Sequence, residues 1–183
     1  MADQTFTSGQ ILTAAQMTTL QANSTLVAVG TFTNSAATTL TASACFSSTF
    51  ANYRIVFNGT GGTVLSGDMT CQFLVGATPT AVNYTNSIIF NSNSGGPTRA
   101  YSAGVSNFVI GSNGGSGSVF SYDVFAPNLA RATVVTGSYA GFGSTSSFTA
   151  TNFAQQSDSS QFTGLTITAA NTFTGTLQVY GYR

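Results

Sequence analysis

Hydrophobic and polar positions follow two different periods along the chain. In the opening stretch, TFTSGQILTAAQMTTLQANS over residues 5–24, the apolar positions fall at helical spacing. Thr13 stands as an N-cap with Gln16 three positions on, and Ala14, Ala15, Met17 and Leu20 follow before Asn23 supplies a stop. This predicts a helix of about two turns, too short to persist in water unless it packs on something. Phe6, Ile11, Leu12, Met17 and Leu20 are then the side chains that must be buried, against the body of the protein or against a neighbour.

From Thr25 onward the period becomes two. Short β-branched and aromatic runs alternate with Gly, Asn and Ser clusters, the pattern of an all-β domain. It predicts strands near 26–33, 38–44, 53–58, 69–75, 84–90, 105–110, 119–125, 132–139, 147–153, 164–168 and 176–182. Tyr53, Ile55 and Phe57 share one face, as do Phe120, Tyr122 and Val124, and Leu177 and Val179. The clearest breaks are 58–62, 91–97 and 111–117, all rich in Gly, Asn and Ser. None of these is followed by a Lys and a helix or sits in a βαβ unit, so they read as hairpin loops rather than phosphate cradles. Many short strands without helical crossovers allow a sandwich or a barrel. The expected architecture is all-β, an antiparallel β-sandwich of jelly-roll type over 25–183, preceded by an N-terminal attachment arm over 1–24 that contains the short helix.

Charge changes the picture. Asp3, Asp68, Asp123 and Asp158 balance Arg54, Arg99, Arg131 and Arg183, with no Lys, Glu or His, so 4 % of the chain is charged and the net charge is zero. A quarter is ordinary. The surface must instead be made from the 30 Thr, 23 Ser, 13 Asn and 20 Gly, and a chain with so little self-repulsion is expected to associate. The first basic residue is Arg54 and no apolar run reaches 18 residues, so neither a secretory signal nor a membrane span is expected as the chain is written. The chain is then expected to be made and folded in a cytoplasm, or to have lost a signal before its first residue; a cytoplasm predicts reduced, buried Cys45 and Cys71, with a disulfide between them left open. The sequons at Asn23, Asn58 and Asn83 carry no meaning without secretion.

The inventory excludes most catalysis. Without His there is no Ser-His-Asp or Cys-His arrangement and no imidazole metal site. Paired carboxylates for glycoside hydrolysis would have to come from four widely spaced Asp residues. Asp68 and Asp158 read better as turn residues, although a weak Ca²⁺ site built from Asp, Asn and backbone oxygens stays open. Four scattered Arg residues cannot neutralise many phosphates, which argues against nucleic acid. Tyr101, Tyr139, Tyr180 and Tyr182 could stack on sugars, but read first as rim tyrosines of the core. The chain is expected to be non-enzymatic and to need no cofactor.

Two sets of residues carry a resemblance. The front stretch is similar to a motif of the form F-x-x-G-x-x-L-T-A-A-x-M-N-x-L, met here by Phe6, Gly9, Leu12, Thr13, Ala14, Ala15, Met17 and Leu20, with Thr18 in place of Asn. CFSSTFANYRIVF at 45–57, FAPNLARATVVTGSY at 125–139 and FTGTLQVYGYR at 173–183 are similar to a jelly-roll module. Together they resemble virion structural proteins of tailed bacteriophages, of the head decoration (cement) or tail-fibre type. The resemblance implies a homotrimeric component of the virion, assembled in the host cytoplasm. Its partner would be the major capsid protein or a tail protein of the same particle, bound through Phe6, Ile11, Leu12, Met17 and Leu20. No coiled-coil heptads or shaft repeats are present, which favours capsid decoration; the alternative is a short tail-fibre or receptor-binding tip that binds a host surface glycan or protein.

Overall fold

The computed structural model describes Thr13 and residues 25–61, 68–92, 95–112, 115–142 and 147–183. Thr13 is exposed and outside regular structure. The remainder of the expected helix, with Phe6, Ile11, Leu12, Met17 and Leu20, lies outside the described residues.

The described chain is all-β, without an α-helix. Eleven strands follow one another: β1 (Leu26–Ala42), β2 (Asn52–Gly61), β3 (Asp68–Val75), β4 (Thr78–Pro79), β5 (Tyr84–Ser92), β6 (Gly95–Val105), β7 (Phe108–Ser112), β8 (Gly117–Phe125), β9 (Thr133–Phe142), β10 (Ser147–Gln156) and β11 (Gly164–Tyr182). All pairings are antiparallel, in the order β4-β3-β11-β2-β8-β9-β10-β5-β6, with β1 added to β11 and β7 to β3. The result is one curled sheet rather than two separate ones.

The curl begins at β11. This 19-residue strand pairs with β1 from Leu26↔Tyr182 to Ala42↔Leu165. Its other edge is shared in turn by β3, over Gly164 to Ala169, and β2, over Phe173 to Gly181. Where the partner changes, the β1 register slips at Asn34/Ala37 and again at Ala37/Thr39, and Ala36 takes a left-handed conformation (φ 50°). The buried Asn34 side chain holds this bulge. Its Nδ2 donates to the Phe173 carbonyl at 3.0 Å and to the Ala37 carbonyl at 2.8 Å, while the Ala36 N–H donates to Thr174 Oγ1 at 3.0 Å. The sequence pattern expects four strands in these two segments because the bulge interrupts the period; hydrogen bonding carries the pairing through it.

Past the bend, β3 and β7 fold back over the rest of the sheet, and β7 lies against β5, β8, β9 and β10. Aromatic rings fill the space between. Phe73 on β3 packs against Phe46 (6.2 Å between ring centroids), Phe108 (5.7 Å), Phe162 (5.1 Å) and Tyr84 on β5 (6.2 Å). The Phe73 N–H also donates to the Tyr84 hydroxyl at 2.7 Å, and Asn152 Nδ2 on β10 crosses the interior to the Val109 carbonyl on β7. Gly137 on β9 makes room for this layer, since a Cβ there would lie 2.7 Å from the Tyr122 ring and 2.2 Å from the Ser121 carbonyl oxygen.

Two strands escape the sequence pattern, the two-residue β4 and the longer β6. The pattern predicts a loop over 91–97, yet β5 runs to Ser92 and pairs there with Gly95 at the start of β6, and the expected strand at 105–110 spans the turn between β6 and β7. The exposed residues of β6 give no alternation to read, because it is an edge strand with little core to cover.

Replacing Asn34 with Ala removes the donor that two backbone carbonyls share at the bulge. The variant is expected to lose about 1–3 kcal/mol in urea unfolding; a loss under a few tenths would show that the bulge does not need it.

Candidate functional site

The alternation of the central strands leaves one face to the core and the other to solvent. Across β2, β8, β9, β10 and β5 the outward residues form transverse rows set by the strand register. The middle row is Val56, Ser121, Ser138, Thr151 and Ile89. Beside it run Asn58, Val119, Ala140, Thr149 and Asn91. These two rows line an open groove of about 570 Å³, whose floor is the backbone of the same strands. Among the described residues that line it, none is charged. Among the described residues, the side chains of Ser121, Ser138, Thr149, Thr151, Asn58 and Asn91 form no hydrogen bond within the chain, so their donors and acceptors face water.

The neighbouring row holds the charge. Arg54 on β2 and Asp123 on β8 are direct cross-strand partners, joined through Arg54 Nε to Asp123 Oδ1 at 2.9 Å and Arg54 Nη2 to Asp123 Oδ2 at 3.0 Å. The Tyr182 hydroxyl donates to Asp123 Oδ1, and the guanidinium carbon lies 5.6 Å from the centre of the Tyr182 ring. Burial pushes the Asp123 carboxyl up, but the bonds from Arg54 and Tyr182 outweigh it and hold the group below its ordinary value. The bidentate pair satisfies itself, and acts as a clasp between β2, β8 and the end of β11.

Further along this row stand Phe153, 46 % exposed, and beyond it Ser87 and Tyr101, which is 72 % exposed. On β10 the outward residue is Phe153 and the inward one is Asn152, the reverse of what hydrophobicity alone prescribes. Asn152 is turned inward by its bond to Val109, and Phe153 is the consequence on the outside.

Apart from the Arg54–Asp123 clasp, the chemistry-bearing groups of the described residues do not converge. Asp158 accepts from Asn83 Nδ2 at 2.7 Å and from Gln156 Nε2 at 2.8 Å, which makes it the turn residue expected of it. Asp68, at the start of β3, pairs in register with Ser112, and loss of hydration raises its carboxyl pKa. Asp3 lies outside the described residues. Among the described residues, no three of His, Cys, Asp and Glu come together. Cys45 and Cys71 are both buried and free; burial pushes the Cys45 thiol up to about 12 and raises Cys71 further from reactivity.

Of the four tyrosines singled out in the sequence, Tyr139 is buried with its hydroxyl pushed up to about 12 by burial, Tyr180 and Tyr182 are half-buried, and Tyr101 alone stands free. Sequence reasoning missed the groove itself. Its Ser, Thr and Asn residues look like any polar strand face until the register aligns them across five strands. No family model, curated protein or solved structure matches the chain.

The clasp gives a pH signature. Because the Asp123 pKa is depressed on folding, its contribution is present above the ordinary carboxylate value and disappears as pH falls through the folded one. Asp123→Asn is expected to cost no more than about 1 kcal/mol at pH 7, since both partners reach solvent. The difference from the parent should shrink in urea titrations below about pH 3.9. A constant difference at all pH values would mean the carboxylate charge is not what matters.

Proposed function

We propose that this chain is a non-enzymatic structural protein of a phage virion, decorating or cementing the capsid surface through its N-terminal arm and its β-domain, the latter a variant of the jelly-roll architecture. The observation that carries the virion reading is the front stretch over residues 5–24, which resembles a motif of virion proteins, joined to a β-domain with almost no charge; a sequence without coiled-coil heptads or shaft repeats favours decoration over a fibre. The first described residue of the β-domain, Thr25, lies beside Arg183, its carbonyl accepting from the Arg183 N–H at 3.2 Å.

The exposed apolar side chains of the described surface, Phe125, Phe142 and Phe153 among them, suit a protein that works in contact with neighbours such as the other copies of a homotrimer and the major capsid protein. A second reading, a short tail-fibre or receptor-binding tip, is favoured by the uncharged groove.

Removing residues 1–24 tests the anchor. The expected outcome is a β-domain with unchanged circular dichroism and cooperative unfolding that no longer co-sediments with particles. Normal incorporation of the truncated protein would contradict the assignment of Phe6, Ile11, Leu12, Met17 and Leu20 to attachment.

A further inference from the structure

We infer that the outer groove across β2, β8, β9, β10 and β5 is a binding site for a neutral oligosaccharide. This deepens the receptor-binding reading by naming the ligand class; its failure would leave the decoration reading, which the truncation tests, untouched.

Three properties of the groove select the ligand. First, the lining is uncharged, with hydroxyls at Ser121, Ser138, Thr149 and Thr151 and amides at Asn58 and Asn91. Hydroxyls donate and accept, and each Asn offers both an N–H pair and a carbonyl, which is the complement a polyol needs. An anionic sugar or a nucleic acid would have no cation here to meet its charge. Second, Val56, Val119 and Ile89 stand among these polar groups in the same rows and offer apolar contact to the C–H faces of pyranose rings. Phe153, two residues along β10 from Thr151, extends that surface beyond the groove. Third, the floor consists of central strands paired on both edges. An extended peptide gains most of its affinity by adding to an unpaired strand edge, and none is open here. Recognition must therefore run through side chains standing on a rigid sheet. At about 570 Å³ the groove lies within the range of small-ligand sites, and its hydroxyls are already held on strands, which lowers the ordering cost of binding.

The test uses the full chain titrated by isothermal calorimetry with maltohexaose, cellohexaose, mannohexaose and chitohexaose, and with a sulfated hexasaccharide as the charged counterpart. Saturable binding of at least one neutral hexasaccharide is expected, with the sulfated one markedly weaker. In the double variant Ser138→Val, Thr151→Val the affinity should fall about tenfold or more, as expected for losing one or two hydrogen bonds. Both residues are exposed and free of internal bonds, so the fold should be unaffected, and unchanged urea unfolding checks this. Thr33→Val, an exposed threonine of β1 outside the groove, should bind like the parent. The inference is overturned if none of the four neutral hexasaccharides binds, if the sulfated one binds equally well, or if the double variant binds as tightly as the parent.

Discussion

The architecture turns on the exchange of partners along β11, where the β1 ladder is irregular. At Asn34–Ala37 the β1–β11 ribbon slips its register, and β11 passes from pairing with β3 to pairing with β2. Without that handover the strands would continue as an open sheet with one face exposed, and the aromatic rings on β2, β3, β5 and β8 would have nothing to cover them. With it, β3 and β7 turn back over β5, β8, β9 and β10, and Phe73 becomes the centre of a cluster of four further rings. Burial of these rings is the main stabilising term. Asn34 adds little on that scale, but it satisfies the Phe173 carbonyl where the ladder is irregular, which a buried backbone group cannot forgo.

Closing the core in this way dictates what the outer face looks like. Asn152 faces inward because β7 presents the Val109 carbonyl to it, and strand alternation then places Thr151 and Phe153 outside. Arg54 and Asp123 clasp one end of that face, so the charge of the central strands is neutralised internally and the groove beside it stays uncharged. A surface of hydroxyls and amides with scattered apolar groups neither repels its own copies nor attracts ions. It suits crowded contact between neutral partners, which is the setting the proposed virion role requires.

Much of the fold was legible in the sequence. Tyr53, Ile55 and Phe57, or Phe120, Tyr122 and Val124, announce a strand face by alternation, and the core contains all of them. The merging of segments into β1 and β11 was not legible, because Ala36 and the residues around Ala169 break the period while hydrogen bonds continue it. Nor was β6, an edge strand with Gly96 and Pro97 near its start and almost no buried side chain. The candidate site was the least legible, for a physical reason. Ser121, Ser138 and Thr151 lie on different strands and become neighbours only through the register, which depends on packing across the whole sheet rather than on any local stretch.

In the proposed virion role, an attachment arm over residues 1–24 joins the particle and the β-domain faces outward. The most direct measurement is a cryo-EM reconstruction of the particle that carries this chain. Density for the curled β-domain is expected at regular positions on the capsid, with the start of β1 and Arg183 turned toward the shell and the face bearing Ser138 and Thr151 open to solvent. A particle without such density, or one in which the outer groove is buried against the shell, would contradict that role.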